Sequence, residues 1–271
     1  MQNSKSIGVF DSGVGGLSVL GELKKLLPNE NFIYFGDSAN VPYGEKSKEE
    51  LISFSRNILN YFKSQNVKMV LMACNTSSAV TLGVVKDEYD FPILGLIEPT
   101  AKFLVGQEIA NVGIIATSAT IKSNAYKEFI LKYSTAKNVF QMACPGLVEL
   151  VEEEKIQTNE AKELVKAYIE PLIEKNVEKI VLGCTHYPFL GDLIIDLTKN
   201  DEILINPAEY LAKEAFELLE SAGMLNQQKG GNITFYTSKN PLEFVQVGKK
   251  LFPKLELAKL LEINETVYRS K

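Results

Sequence analysis

The chain has 271 residues, 45% of them hydrophobic and 23% charged, and its 29 basic and 34 acidic side chains leave a net charge of −5. Such a composition excludes a disordered or fibrous chain, and the acidic balance argues against a general nucleic-acid binder. At about 150 residues per domain, the length suggests roughly two domains.

Nine short apolar runs read as strands: Ile7–Phe10, Phe32–Phe35, Lys68–Met72, Ile93–Leu96, Val112–Ile115, Lys137–Gln141, Lys179–Leu182, Ile203–Ile205 and Ile233–Tyr236. Amphipathic stretches lie between them, most clearly Lys48–Ser64, Asn159–Asn176 and Ala208–Ala222, the last stopped by Gly223. This alternation predicts an α/β fold with mainly parallel sheets flanked by helices. No apolar stretch approaches the ~18 residues of a transmembrane helix. The N-terminal apolar run ends at Asp11, too short for a signal-peptide core, so a cytoplasmic protein is expected.

One internal echo stands out. VKMVLMACNT (Val67 to Thr76) and VEKIVLGCTH (Val177 to His186) share a Val, a lysine, an aliphatic run, a small residue and a cysteine followed by polar groups. The echo suggests two similar α/β halves, each presenting a cysteine at the C-terminal end of a strand, where open parallel sheets bind ligands. The three cysteines, Cys74, Cys144 and Cys184, are too few and too widely spaced for a disulfide framework or a CxxC zinc site.

Four loop segments carry chemistry. Asp11-Ser12-Gly13-Val14-Gly15-Gly16 follows the first strand and suits either an anion at a helix N-terminus or a plain glycine turn capped by Asp11. Its spacing fits neither the dinucleotide nor the P-loop fingerprint. Gly36 to Gly44 spells a loop from which Tyr43, between Pro42 and Gly44, can reach a ligand. Ala73 to Ala79 puts Cys74 where a helix begins, so that the helix dipole would lower its pKa; the alternative is a buried apolar cysteine with Asn75 and Ser77 as caps. Gly183 to Pro188 repeats that pattern and adds His186, the chain's single histidine, which is either structural or tunes the neighbouring thiol. Cys144, with no hydroxyl cluster after it, reads as structural. Glu149, Glu152, Glu153 and Glu154 read mostly as a solvated helix face.

Two cysteines at equivalent positions permit stereoinversion. One thiolate takes a proton from one face of a carbon and the other thiol returns a proton to the opposite face, without a cofactor. Backbone amides near Ser12, Asn75, Thr76 and Thr185 would stabilise the developing carbanion. The motifs contain no arginine; Arg56 and Arg269 fall in or beside predicted helices away from these loops. A Cys–His hydrolase would use one thiolate and leave the second cysteine motif unexplained. A zinc site from Cys74, Cys184 and His186 and a two-lobed solute-binding protein are weaker readings.

IGVFDSGVGGLSVL, FGDSANVPYGEKS, ACNTSSA, ATSATIKSNAY and GCTHYPFL, in that order from Ile7 to about Leu190, resemble the bacterial cofactor-independent glutamate racemases. The resemblance implies interconversion of L- and D-glutamate, with D-glutamate going to peptidoglycan, and no cofactor or metal. It assigns the acid/base roles to Cys74, which deprotonates D-glutamate, and Cys184, which deprotonates L-glutamate. Asp11, His186 and Glu152 assist, and Ser12, Pro42, Tyr43, Gly44, Asn75, Thr76, Thr117, Thr120 and Thr185 contact substrate. It further implies homodimers and two facing α/β domains related by a pseudo-twofold, one from residues 1–96 plus 207–271 and one from residues 97–206. ATSAT departs from the family's usual GT at Ala116, and CPGLVELVEEE is looser than the family pattern. With six residues before Ile7, activation through an N-terminal extension by a cell-wall precursor is not expected. An aspartate racemase is the nearest rival, since one methylene of substrate is worth only about 1–3 kcal/mol.

Overall fold

The computed structural model describes residues 3–263. The chain runs β1 (Ile7–Asp11), α1 (Leu17–Leu26), β2 (Phe32–Gly36), α2 (Lys48–Ser64), β3 (Met69–Met72), α3 (Asn75–Val80), α4 (Leu82–Val85), β4 (Ile93–Gly95) and α5 (Ile97–Phe103). It continues with β5 (Asn111–Ala116), α6 (Ser118–Lys122), α7 (Ala125–Tyr133), β6 (Asn138–Ala143), α8 (Leu147–Glu152), α9 (Asn159–Glu174), β7 (Lys179–Gly183), α10 (Gly191–Thr198) and β8 (Leu204–Ile205). It closes with α11 (Pro207–Ser221), β9 (Ile233–Thr237), α12 (Pro241–Gly248) and β10 (Lys259–Leu260). All nine expected strands form. The tenth, β10, was not anticipated.

Two parallel sheets result, ordered β10-β9-β2-β1-β3-β4 and β6-β5-β7-β8. The order 2-1-3-4 in the first reappears as 6-5-7-8 in the second, so β3 and β7, the two strands of the internal echo, occupy matching places beside the central strand. The central strands of each sheet, β1 and β3 in the first and β5 and β7 in the second, are buried on both faces, as their near-continuous apolar sequences require. In β1, Ile7 and Val9 pack with α1 and α11 while Phe10 packs on the opposite face with Ile58, Leu59 and Phe62 of α2. In the second sheet, Ile180 and Leu182 face α8, α9 and α10, and Val181 faces α5 and α7.

The helices begin where the sequence supplies caps. Ser47 and Glu50 form a reciprocal capping box at the start of α2, Glu50 N donating to Ser47 Oγ (3.2 Å) and Ser47 N donating to Glu50 Oε2 (2.9 Å). Thr158 caps α9 through Ala161 N, and Asn206 caps α11 ahead of Pro207. Lys68, expected to open β3, instead lies just before it in a buried ion pair with Glu30 (2.6 Å).

Because every strand is parallel within its sheet, the C-terminal ends gather at one edge. The segments after β1, β2 and β3 and those after β5, β6 and β7 all end at a common cavity.

Candidate active site

The cavity is lined by residues from both sheets, among them Ser12, Tyr43, Cys74, Asn75, Thr117, Cys184 and His186. Pro42, Gly44, Thr76 and Thr185 also line it. Asp11, Glu152 and Thr120, also expected at the site, stand one layer behind, held to lining residues or their loops.

Cys74 is the N-cap of α3, and its Sγ accepts from Ser77 N at 3.5 Å. The expected fall in its pKa is overturned. Burial, with the Asp11 carboxylate adding to it, pushes the thiol up to about 12 against the smaller pull of the Ser77 N–H. A helix of six residues has too small a dipole to offset the loss of water. Asn75 and Ser77 are therefore not the caps; the cysteine itself is.

Cys184 follows β7 and lies 3.7 Å from His186 Nδ1. His186 Nε2 lies 3.1 Å from Glu152 Oε1. Burial alone would lower the histidine's pKa, but the bonds to Cys184 and Glu152 prevail and lift it to about 10. The protonated ring then donates from both nitrogens, one to a sulfur and one to a carboxylate. Glu152 thus differs from the exposed Glu153 and Glu154 that follow it: it turns inward to the histidine.

Asp11 is fully buried at the end of β1. Its Oδ2 accepts from Gly13 N (3.1 Å) and Gly16 N (2.9 Å), so it shapes the glycine loop from within, and α1 begins only at Leu17. Burial raises its pKa, while the nearby His186 and the loop N–H groups act the other way. Its Oδ1 has no hydrogen-bond partner among the described residues.

The opposite walls meet through hydroxyls. Thr76 Oγ1 from α3 lies 3.0 Å from Thr117 Oγ1, which lies 3.0 Å from Thr120 Oγ1. Gly44 is needed where the loop after β2 meets Thr117, since a Cβ there would come within 2.8 Å of the threonine's Cβ. Val41–Pro42 is a cis peptide. The Tyr43 hydroxyl donates to Asp37 Oδ2 at 2.6 Å, so its hydroxyl is engaged by the protein. Cys74, Cys184 and His186 belong to no three-ligand metal cluster among the described residues.

Several groups at or beside the cavity carry no site role in the sequence, Cys144 reading there as structural and Glu149 as part of a solvated helix face. Cys144 lines the cavity together with Pro145 and Gly146, and its carbonyl accepts from Tyr187 Oη (3.1 Å). Glu45 and Glu149 stand at the rim as exposed carboxylates. Asp37 anchors Tyr43, Asn40 and Ser238. Tyr126 donates to Asn75 Oδ1 at 2.5 Å. Arg56 pairs with Glu88 and does not line the cavity, as expected; Arg269 lies outside the described residues.

With two thiols, an imidazole and a row of hydroxyls around one cavity, the arrangement can move protons to and from a small polar molecule. The profile of the Asp/Glu/Hydantoin racemases matches residues 7–215. The chain belongs to that family. It is 45% identical over 242 residues to the glutamate racemase of Trichormus variabilis, covering 89% of this chain and 82% of that one. It is 42% identical over 245 residues to the glutamate racemase of Carboxydothermus hydrogenoformans, covering 90% and 91%. Among solved structures, the glutamate racemase of Francisella tularensis in complex with D-glutamate superposes with a TM-score of 0.91 at 32% identity, over 97% of this chain and 99% of that one. This family member is accordingly an isomerase built on two parallel sheets.

Proposed function

We propose that the enzyme interconverts L- and D-glutamate by two-base proton transfer at the α-carbon. The observation that carries this reading is the pair of cysteines, Cys74 after β3 and Cys184 after β7, lining one cavity from matching places in two sheets. One sulfur abstracts the α-proton as thiolate, and the other, as thiol, delivers a proton to the opposite face. The two thiols exchange protonation states with each turnover, so no redox partner or leaving group is needed. Cys74, kept protonated by burial and by Asp11, is suited to donate to the carbanion, giving D-glutamate when Cys184 abstracts from L-glutamate. The His186–Glu152 pair stabilises the thiolate form of Cys184 through the imidazolium, and Asp11 serves the Cys74 side.

Ser12, Asn75, Thr76, Thr117 and Thr185, with the Pro42-Tyr43-Gly44 segment, hold the two carboxylates by N–H and hydroxyl donors, Thr120 backs Thr76 and Thr117 from behind, and no arginine is among the described residues that line the cavity. The chain divides into a domain of residues 1–96 with 207–271 and a domain of residues 97–206, a division supported by the segments from which each sheet draws its strands. The family resemblance carries the remainder of the reading: a cytoplasmic homodimer supplying D-glutamate to peptidoglycan. Among the described residues no helix is long and apolar enough to cross a membrane.

The test is incubation with L-glutamate in D2O without added cofactor, with L-aspartate in a parallel tube. Loss of optical activity with deuterium appearing at Cα of glutamate is expected. Activity on aspartate alone would reassign the substrate, and no exchange on either would return a Cys–His hydrolase to the front.

A further inference from the structure

Tyr126 touches both thiol-bearing segments at once. It projects from α7, which packs on the second sheet, yet its hydroxyl donates to Asn75 Oδ1 at 2.5 Å, the residue directly after Cys74. Both partners are buried, at 1% and 3% exposure, so the bond is shielded from competing water. The ring of the same tyrosine lies against Gly183, the residue directly before Cys184. A Cβ built at Gly183 would come within 3.3 Å of Tyr126 Cε2 and 2.8 Å of Ala116 Cβ. The small residue before each cysteine in the internal echo thus has a cause at Cys184: Ala116 Cβ and the Ile115 carbonyl oxygen leave no room for a side chain at Gly183, and the tyrosine ring closes the same space from a third side.

The bond also fixes a direction. An asparagine amide has an acceptor end and a donor end. With Oδ1 taken by the Tyr126 hydroxyl, the Nδ2 end is the one left for the cavity that Asn75 lines. A cavity for an amino acid with two carboxylates needs donors there, because a carbonyl oxygen turned toward a carboxylate would repel it.

We infer that Tyr126 is a positioning residue for racemisation: it orients the Asn75 amide with its NH2 toward the substrate and holds the Cys74 and Cys184 segments in fixed relation. The inference rests on the reading of the cavity as a glutamate site. It predicts that Tyr126→Phe, which keeps the ring against Gly183 and removes only the hydroxyl, frees the amide to turn.

The experiment pairs kinetics with NMR of the full-length protein. For glutamate racemisation, Tyr126→Phe is expected to lower kcat/KM by about ten- to a hundredfold, mostly through KM. The double variant Tyr126→Phe/Asn75→Ala should be no worse than Asn75→Ala alone, because the tyrosine acts through the amide. In the ligand-free protein, the Asn75 side-chain amide protons, assigned by their loss in Asn75→Ala, should shift and exchange faster with solvent in Tyr126→Phe. Thermal unfolding of each variant identifies any that fails to fold. Unchanged amide resonances in Tyr126→Phe would overturn the inference whatever the substrate proves to be. So would full additivity of the two substitutions, which marks a merely structural tyrosine. Wild-type protein inactive on glutamate would instead sink the functional reading, and the amide resonances would still decide the orientation.

Discussion

Gly15 and Thr185 approach so closely that a methyl group on the glycine would overlap the threonine hydroxyl and come within 2.9 Å of His186 Nδ1. The glycine loop after β1 and the cysteine turn after β7 are therefore pressed together at the ring that serves Cys184. Gly15→Ala should cost about 1–3 kcal/mol of stability through overpacking. It should also push His186 away from Cys184 and lower kcat by at least about tenfold. Thermal unfolding and steady-state racemisation of the same preparation check the two effects together.

Replacing either thiol by a hydroxyl removes one acid of the pair. Cys74→Ser and Cys184→Ser are each expected to lower racemisation by about 10²–10⁴-fold. Each variant should keep slow exchange of the α-proton with solvent for one enantiomer, the one whose proton faces the surviving sulfur. Proton NMR in D2O with each enantiomer separately reads this out. Full racemisation by either variant would discard the two-thiol scheme.

The proton held by His186 makes stability depend on pH. Its pKa stands near 10 in the folded protein against 6.5 in the unfolded chain, so the folded state binds the extra proton and unfolding releases it between those values. The stabilisation is complete below pH 6.5 and is lost as pH rises toward about 10. Cys74 adds to the decline above pH 9, where the unfolded thiol ionises while the folded thiol stays protonated up to about 12. The unfolding temperature should fall over this range. In His186→Asn the fall below pH 9 should largely vanish; a slope as steep as in the wild type would place the proton elsewhere.

Lys68 and Glu30 form an ion pair with side chains 0% and 2% exposed. The ammonium also donates to the carbonyls of Asn3 and Met224, and Glu30 Oε1 accepts from Asn226 N, so the pair ties the segments before β1 and after α11 to the loop before β2. Lys68→Met would strand the carboxylate and should cost about 3–5 kcal/mol. A Lys68→Met/Glu30→Gln double variant should recover part of that loss. Chemical denaturation measures both, and activity per folded molecule should stay unchanged because the pair lies away from the cavity.

The elements that repeat a strong local pattern were legible in the sequence. The central strands are continuous apolar runs because both their faces are covered, and α2 announces itself by Ser47, Glu50 and an amphipathic period. β10 gave no such signal: Lys259 and Leu260 are both exposed and pair along a sheet edge. The cysteines were visible through the echo of β3 and β7. The partners that orient the cavity were less so. Tyr126 and Asn75 are 51 residues apart, and nothing local in either segment points to the other. Asp37 and Tyr43 share one loop, yet only the folded chain shows that the tyrosine hydroxyl is engaged by the carboxylate. At Cys74 the local argument from the helix terminus was sound but small, and burial, a tertiary property, outweighed it.

The two thiols have unlike company: Cys184 faces an imidazole backed by a carboxylate, whereas Cys74 caps a short helix near Asp11. Mirror-image substrates have equal free energies in water, so the equilibrium constant of a racemase is one whatever its site looks like. The Haldane relation then forces kcat/KM to be equal in the two directions, for the wild type and for every variant. The lopsided cavity therefore cannot favour one enantiomer at equilibrium. Its asymmetry can appear only as a matched difference in kcat and KM, with the direction that turns over faster when saturated also being the one that needs more substrate to saturate.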